Sequence, residues 1–508
     1  MKAFLMYRDR DFDLQGQLPW NQAALIQDLE LNTLVNAMAQ GDAFLLDVAG
    51  KALLTSLTDL ETILYRQNIL KDCLKNAALI RDIYALAVEA ITNEKKAYWG
   101  AFSKYPPAIL DRAITVLQLF VGQLKRLRTI ANEQASRFES EGFTRLFAML
   151  QAELSDEYFL VIEDHLRELK FRRGVLISAE LGKGLKGMNY VLRKPNGQKQ
   201  TWRDRVFAKK LPVYSFRIDD RDEAGARALS ELKDRGIHLA ANALAQSCDH
   251  ILNFFKMLRT DLAFYIGCLN LEEQLTQLGE PLSFPVPADL KERRHTFDGL
   301  YDVCLALNVQ QKIVGNTGAA DGKHLVIITG ANQGGKSTFL RSIGLAQLMM
   351  QCGMLVPAEA FCANVCDSLF THYKREEDSA MRSGKLDEEL SRMSDIVDHL
   401  TPHALILFNE SLAATNEREG SEIARQIISA LIEKHHKVFY VTHLYDFAHS
   451  VFERKLPDAI FLRAERQLDG ERTFKIVEGE PLQTSFGEDL YERLFRTDGS
   501  SAQPSPID

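Results

Sequence analysis

The chain has 508 residues, 46% hydrophobic and 26% charged, and carries a net charge of −8. That length allows two to four domains with well-buried cores, and the acidic balance excludes a global attraction to nucleic acid, leaving only local basic patches for that purpose. The opening run Met1-Lys2-Ala3-Phe4-Leu5-Met6 is too short for a signal peptide, no stretch of about 18 apolar residues offers a membrane span, and seven cysteines without metal-like pairing point to a reducing, cytoplasmic setting with no membrane partner.

After an N-terminal segment over residues 1–20, the pattern to about residue 170 is helical. Apolar residues recur at three- and four-residue spacing in Ala23–Leu31, Ile63–Leu70 and Ala113–Phe120. Between Gly174 and Tyr214 the character changes. Val175–Leu181 and Met188–Leu192 are strand-length and bounded by glycines, and Lys194-Pro195-Asn196-Gly197 reads as a turn. Helical spacing returns from about Arg221 to Gly279, for example in Ile251–Leu258. Pro281, Pro285 and Pro287 then mark a loop, and Asn316–Gly322 reads as another loop.

The C-terminal part alternates strands and helices, which predicts a mostly parallel sheet. Leu325-Val326-Ile327-Ile328 is a buried strand, followed by Gly330-Ala331-Asn332-Gln333-Gly334-Gly335-Lys336-Ser337-Thr338 and a helix from Phe339. Strand, Gly-x-x-x-x-Gly-Lys-Ser, helix is the context of a phosphate-binding P-loop. Its backbone N–H groups and the helix N-terminus favour an anion. Lys336 is placed to reach the β- and γ-phosphates of ATP, and Ser337 to ligate Mg²⁺. A second strand, Ala404–Phe408, ends in Asn409-Glu410-Ser411, a Walker B arrangement in which Asn409 replaces the usual aspartate and contacts Mg²⁺ through water. Glu410 keeps the position that orients or deprotonates the attacking water. A third strand, Val438–Val441, ends in Thr442-His443, where His443 can meet the γ-phosphate or that water. His435 and His436 read as surface residues. Ile460–Arg463 and Thr473–Val477, flanking Asp469-Gly470, read as an antiparallel hairpin at the sheet edge, and the polar tail over 497–508 as disordered.

Thr329–Arg341 resembles the distinctive loop of the MutS family, Thr-Gly-Pro-Asn-Met-Gly-Gly-Lys-Ser-Thr. Gly353-Met354-Leu355-Val356-Pro357-Ala358 is similar to the family's Gly-x-x-Val-Pro-Ala element, and Val441-Thr442-His443 to its Ala-Thr-His segment. Asn409 through Gly420 sits where the family has its Walker B and D-loop, and Ser485-Phe486-Gly487 where it has Ser-Tyr-Gly. Upstream, Asp47–Leu54 and Asp59–Gln67 resemble the start of the family's helical core.

The resemblance implies an α/β ABC-type P-loop ATPase domain over 301–496, preceded by a mainly α-helical core and lever domain over 21–300 with a small β-containing insert at about 174–214. It implies ATP and Mg²⁺ as ligands and a homodimer in which the partner completes each ATP site. Where the family carries a signature serine acting in trans, this chain has Ser383-Gly384-Lys385, with Lys385 placed to supply the trans charge instead. The chain begins almost directly with the helical core and shows no early Phe-x-Glu element, so no mismatch-reading domain is expected. Nor is a C-terminal nuclease-like domain expected. Lys183, Lys186, Arg193, Lys194, Lys199, Arg203, Arg205, Lys209 and Lys210, with Asp204 the one acid in the run, form a basic stretch suited to DNA phosphates or simply to solvent. The expectation is an ATP-gated dimeric clamp on duplex or structured DNA, hydrolysing ATP at a rate that Asn409 puts in question. The alternative is an ATP-gated scaffold with slow or no turnover on another partner such as ribosomal RNA.

Overall fold

The structure, a computed structural model, describes residues 1–97, 105–172, 174–194, 214–215, 217–375, 384–466 and 472–482. The expected tail therefore lies outside the described residues. The chain forms two compact units, one of Met1–Phe4 with Ala78–Arg259 and the other of Leu5–Ala77 with Thr260–Asp508.

The helical periodicity near the N-terminus becomes α1 (Gln22–Asp28), α2 (Leu31–Ala39), α3 (Ala43–Leu54) and α4 (Leu60–Lys75). Aspartates start two of them. Asp42 accepts the Phe44 and Leu45 amides, and Asp59 those of Glu61 and Thr62, satisfying N–H groups that a helix cannot pair internally.

The first unit is built on α5 (Ala77–Ala97), α6 (Pro106–Gln134), α7 (Glu141–Glu153) and α8 (Asp156–Glu168), followed by β1 (Leu176–Leu181), β2 (Gly187–Arg193) and the first part of α9 (Glu223–Gln277). Phe143 and Phe147 of α7 close on Phe138 at 4.7 and 5.0 Å between ring centroids, anchoring α7 beside α6. The two strands expected here are present, and they pair antiparallel as a hairpin, Leu176 against Arg193. It lies against α9 at Gly236, where a Cβ would come within 2.4 Å of Ile177 Cδ1. A helix-interior glycine costs stability, and here it makes room for the hairpin.

The second unit continues through β3 (Val286–Ala288), β4 (His295–Leu300), α10 (Val303–Val309), β5 (Asn316–Ala319), β6 (Leu325–Thr329), α11 (Lys336–Cys352), β7 (Ala360–Asn364) and β8 (Leu369–Tyr373). It then runs through α12 (Lys385–Asp398), β9 (Leu405–Asn409), α13 (Glu417–Glu433), β10 (Lys437–Val441), α14 (Tyr445–Glu453), β11 (Ala459–Arg466) and β12 (Arg472–Glu478). Six strands form one sheet in the order β12-β11-β6-β10-β9-β8, parallel throughout except for β12, which pairs antiparallel with β11. The uninterrupted apolar runs fit strands buried on both faces. One face packs Ile327, Ile406, Phe408 and Tyr440 against Ile428 and Phe447 of α13 and α14. On the other, α11 is buried nearly all round, and Gly344 gives Leu407 and Leu29 the room a Cβ would take.

Two expectations are corrected here. The stretches 281–287 and 316–322 are not simply loops, because they carry the start of β3 and the whole of β5, which with β4 and β7 form a four-stranded sheet ordered β3-β7-β4-β5. These strands are short, with a bulge between Phe297 and Leu300; β3 and β4 pair with β7 more than sixty residues on, and β5 only with β4, so local patterning does not reveal them. His436 is buried rather than on the surface, 5% exposed, while His435 is exposed.

Candidate functional site

The glycine-rich loop leaves β6 at Thr329 and enters α11 at Lys336. Gly330 has φ +120° and Gly335 φ +87°, conformations that side-chain-bearing residues rarely adopt. A Cβ on Gly330 would meet the Ala464 amide of β11 at 2.8 Å, and one on Gly334 the Ala464 Cβ at the same distance. The loop is therefore pressed against the neighbouring strand. No side chain caps α11, so its first N–H groups face the loop's concavity, where the helix dipole favours negative charge. The Lys336 ammonium is buried and donates to the Gly330 and Ala331 carbonyls, both at 2.9 Å. Burial pulls it down to about 8, with Glu410 opposing.

The ends of β9 and β10 bring the remaining groups together. Ser337 Oγ donates to Asn409 Oδ1 at 2.8 Å. His443 Nε2 and Glu410 Oε1 are 2.9 Å apart, and the Glu410 amide donates to the Val441 carbonyl at 2.9 Å. Glu410 has φ +53°, an unusual conformation for a non-glycine residue that turns its side chain off the strand end. The hydrogen bond from His443 holds the Glu410 carboxyl below its ordinary value, against its partial burial. Tyr440 supports the turn from below by donating its hydroxyl to the Ser411 carbonyl at 2.7 Å.

These groups open onto a cleft of about 460 Å³. Asn332, Gln333, Gly334, Gly335, Lys336, Ser337, Thr338 and Glu410 line its polar end. The other end is walled by Leu305 and Val309 of α10, Ile313 and Val314, and Phe474 of β12. Val309, Val314 and Phe474 are 40%, 38% and 48% exposed, so the apolar wall is open to solvent. Sequence reasoning missed this wall: the hairpin that carries Phe474 was legible, but nothing local says that it flanks the glycine-rich loop. Arg472 donates to Gln333 Oε1 at 2.6 Å, and Lys475 Nζ to the Gly315 carbonyl at 2.5 Å, so β12 clasps both loop and wall.

Of the trans candidates, Ser383 lies outside the described residues. Gly384 is the N-cap of α12 and Lys385 its first residue, and neither lines the cleft of its own chain. Of the basic stretch, Lys183, Lys186, Arg193 and Lys194 are exposed on or beside the β1–β2 hairpin. Lys194 is ion-paired with Glu168 at 3.1 Å and Asp164 at 3.9 Å, and Arg193 Nε donates to Ser178 Oγ at 2.8 Å. Lys199, Arg203, Arg205, Lys209 and Lys210 lie outside the described residues, as do Ser485, Phe486 and Gly487. Among the described residues no group of three or more His, Cys, Asp or Glu is arranged to hold a metal, and no helix is long and apolar enough to cross a membrane.

Two family models match the chain: MutS2 N-terminal domain over residues 58–278 and MutS domain V over residues 326–490. MutS protein homolog 4 of Mus musculus is 27% identical over 217 residues, 41% of this chain and 22% of that protein. DNA mismatch repair protein MutS of Porphyromonas gingivalis is 31% identical over 159 residues, 30% of this chain and 18% of that protein. DNA mismatch repair protein MutS of Bacillus subtilis is 27% identical over 250 residues, 46% of this chain and 29% of that protein. The matched stretches span less than a third of the length of these curated relatives. With the two domain matches together spanning most of the chain, and the glycine-rich loop, Glu410 and His443 falling inside the second, this chain belongs to the MutS family.

Proposed function

We propose that the second unit contains an ABC-type ATPase site, and that the protein is an ATP-gated, dimeric clamp on duplex or structured DNA. The observation that carries this reading is the convergence of Lys336, the Ser337–Asn409 pair and the Glu410–His443 pair on one cleft with an apolar far end. A nucleoside triphosphate has the matching polarity. Its phosphates suit the loop and the N-terminus of α11, and its base suits Val309, Val314 and Phe474, which are already exposed to receive it.

The chain's own groups fit the parts of a hydrolytic reaction. On binding, the Lys336 ammonium would exchange two backbone carbonyls for phosphate oxygens, which are stronger partners because they are charged. Glu410 is ionised, turned off the strand end and fixed by His443, so it can accept a proton from water and orient it. Ser337 Oγ and Asn409 Oδ1 are neutral oxygen donors of the kind a hydrated Mg²⁺ accepts, and such an ion would neutralise phosphate charge there. Lys336→Ala tests the site: it should abolish binding of a fluorescent ATP analogue, and wild-type affinity in that variant would refute the assignment.

For the clamp, support comes from the family and from the exposed basic hairpin, with Gly384 and Lys385 as groups offered to a partner's site. Light scattering should report an ATP-dependent dimer, and a monomer at saturating ATP would contradict the trans arrangement. A second reading is favoured by Asn409 alone. Lacking the charge of an aspartate, the site would bind ATP and turn it over slowly, as a gated scaffold on DNA or another polymer such as ribosomal RNA.

A further inference from the structure

We infer that Glu280 is the positioning residue of the cleft's apolar wall, holding it in place to receive a nucleobase; the inference rests on the nucleotide reading above. The wall strip between α10 and β5, residues 310–315, belongs to neither a helix nor a strand. Its Ile313 amide donates to Glu280 Oε1 at 2.7 Å. Glu280 is itself fixed from behind. Gly279, at φ +72°, closes α9 in the left-handed manner, with the Gly279 amide on the Thr276 carbonyl and the Glu280 amide on the Leu275 carbonyl, both at 3.0 Å. The Glu280 side chain is 5% exposed. Burial pushes its carboxyl up, while the Ile313 amide and Lys312 oppose that shift. Burying a carboxylate to hold a single amide is costly, and the amide it holds lies in the cleft wall.

The strip is pinned at a second point. Lys475 holds the Gly315 carbonyl, and Asn316 Oδ1 accepts the Ile476 amide at 2.7 Å. Both partners directly follow Phe474 in β12, the aromatic of the wall. Glu280 on one side and β12 on the other therefore set the gap between Val314 and Phe474. The phosphate loop has supports that do not involve Glu280: Ala464 behind its glycines, Asn409 on Ser337 and Arg472 of β12 on Gln333. Loss of Glu280 should leave the phosphate end formed and loosen only the base end, raising the ordering cost that a bound base must meet.

The test compares ATP with inorganic tripolyphosphate, each titrated calorimetrically into the full chain with magnesium present. Glu280→Ala should weaken ATP about tenfold or more and leave tripolyphosphate within about twofold, since preorganisation is lost only at the wall. Glu280→Gln keeps an amide oxygen for Ile313 N–H and should return ATP to within about threefold of wild type. Glu280→Asp keeps the charge but shortens the reach, and should resemble alanine; it also serves if the alanine variant fails to fold. The inference is overturned if the alanine or aspartate variant binds ATP like wild type, if both ligands weaken in equal proportion, or if glutamine fails to rescue. Lys336→Ala separates the two levels. If it binds both ligands like wild type, the nucleotide reading itself fails and this inference with it; if it loses both while the Glu280 variants are unaffected, only this inference fails.

Discussion

In the proposed ATPase site, Asn409 is the residue expected to govern turnover. In the present site its amide oxygen accepts from Ser337, a neutral contact where an aspartate would add a full negative charge beside the phosphates' counter-ion. Asn409→Asp should therefore raise the single-turnover hydrolysis rate by about tenfold or more, and an unchanged rate would show that charge at this position does not limit the reaction. Lys336 gives a pH signature. Its ligand-free value of about 8 lies below that of an ordinary lysine, and a bound triphosphate stabilises the charged form. Affinity is then fully present below pH 8 and falls as pH rises through it, by up to about tenfold per unit. A nucleotide Kd that stays flat between pH 7 and 9 would contradict a phosphate contact by this ammonium. Gly330 and Gly335 stand out in the sequence through the Gly-x-x-x-x-Gly-Lys-Ser spacing, and both adopt positive φ. Glu280 and Phe474 carry no comparable local mark. A buried glutamate after a helix and an aromatic in a hairpin acquire their roles only through contacts with residues far away in the chain.

At the scale of elements, α11 links the loop to the rest of its unit. Its N-terminus bears Lys336, and at its C-terminal end Arg66 donates Nη1 to the Cys352 carbonyl at 3.3 Å, a cation where the helix dipole favours one. The same fully buried guanidinium donates Nε to the Met6 carbonyl at 2.9 Å and lies 4.7 Å from the Tyr7 ring. Nearby, Asp261 accepts the Leu5 amide at 2.8 Å, so residues 5–7 are clasped between α4 and α9. Arg66→Ala removes the cation from beside buried Asp261 and leaves the carbonyls unpaired, and should cost about 3 kcal/mol or more. Urea denaturation measures this, and a loss under about 1 kcal/mol would mean that the clasp holds without it. Of the large sheet, β6, β9 and β10 were legible from their continuous apolar runs and the β11–β12 hairpin from its turn, whereas β8, with Thr371 and His372 breaking its apolar run, was not. The four-stranded sheet was not, because β3, β4 and β5 are too short to show a period, and β7, the partner of β3 and β4, lies far along the chain. Arg66 could be read only as one charge on an amphipathic helix, since its burial depends on the N-terminal segment folding over it.

Across the whole molecule, buried histidines lower stability on acidification, offset in part by Asp261, whose carboxyl burial pushes up to about 7. Burial holds His295 well below the ordinary range and His372 at about 4. Above about pH 6.5 such histidines are neutral in both folded and unfolded chains and contribute nothing. Below it the unfolded chain takes up protons that the folded one does not, so stability falls as pH drops from about 6.5 towards 4, by about 1.4 kcal/mol per unit for each. A melting temperature that rises on acidification from pH 6.5 to 5 would contradict this. In the function proposed above, ATP chemistry in one unit is coupled to DNA held by the protein. The most direct test is steady-state ATP hydrolysis with and without duplex and branched DNA, using Lys336→Ala as the blank. Turnover should exceed the blank, rise when DNA is added and fall back as salt weakens the phosphate contacts. Tight ATP binding with a rate indifferent to every DNA tested would contradict the coupling.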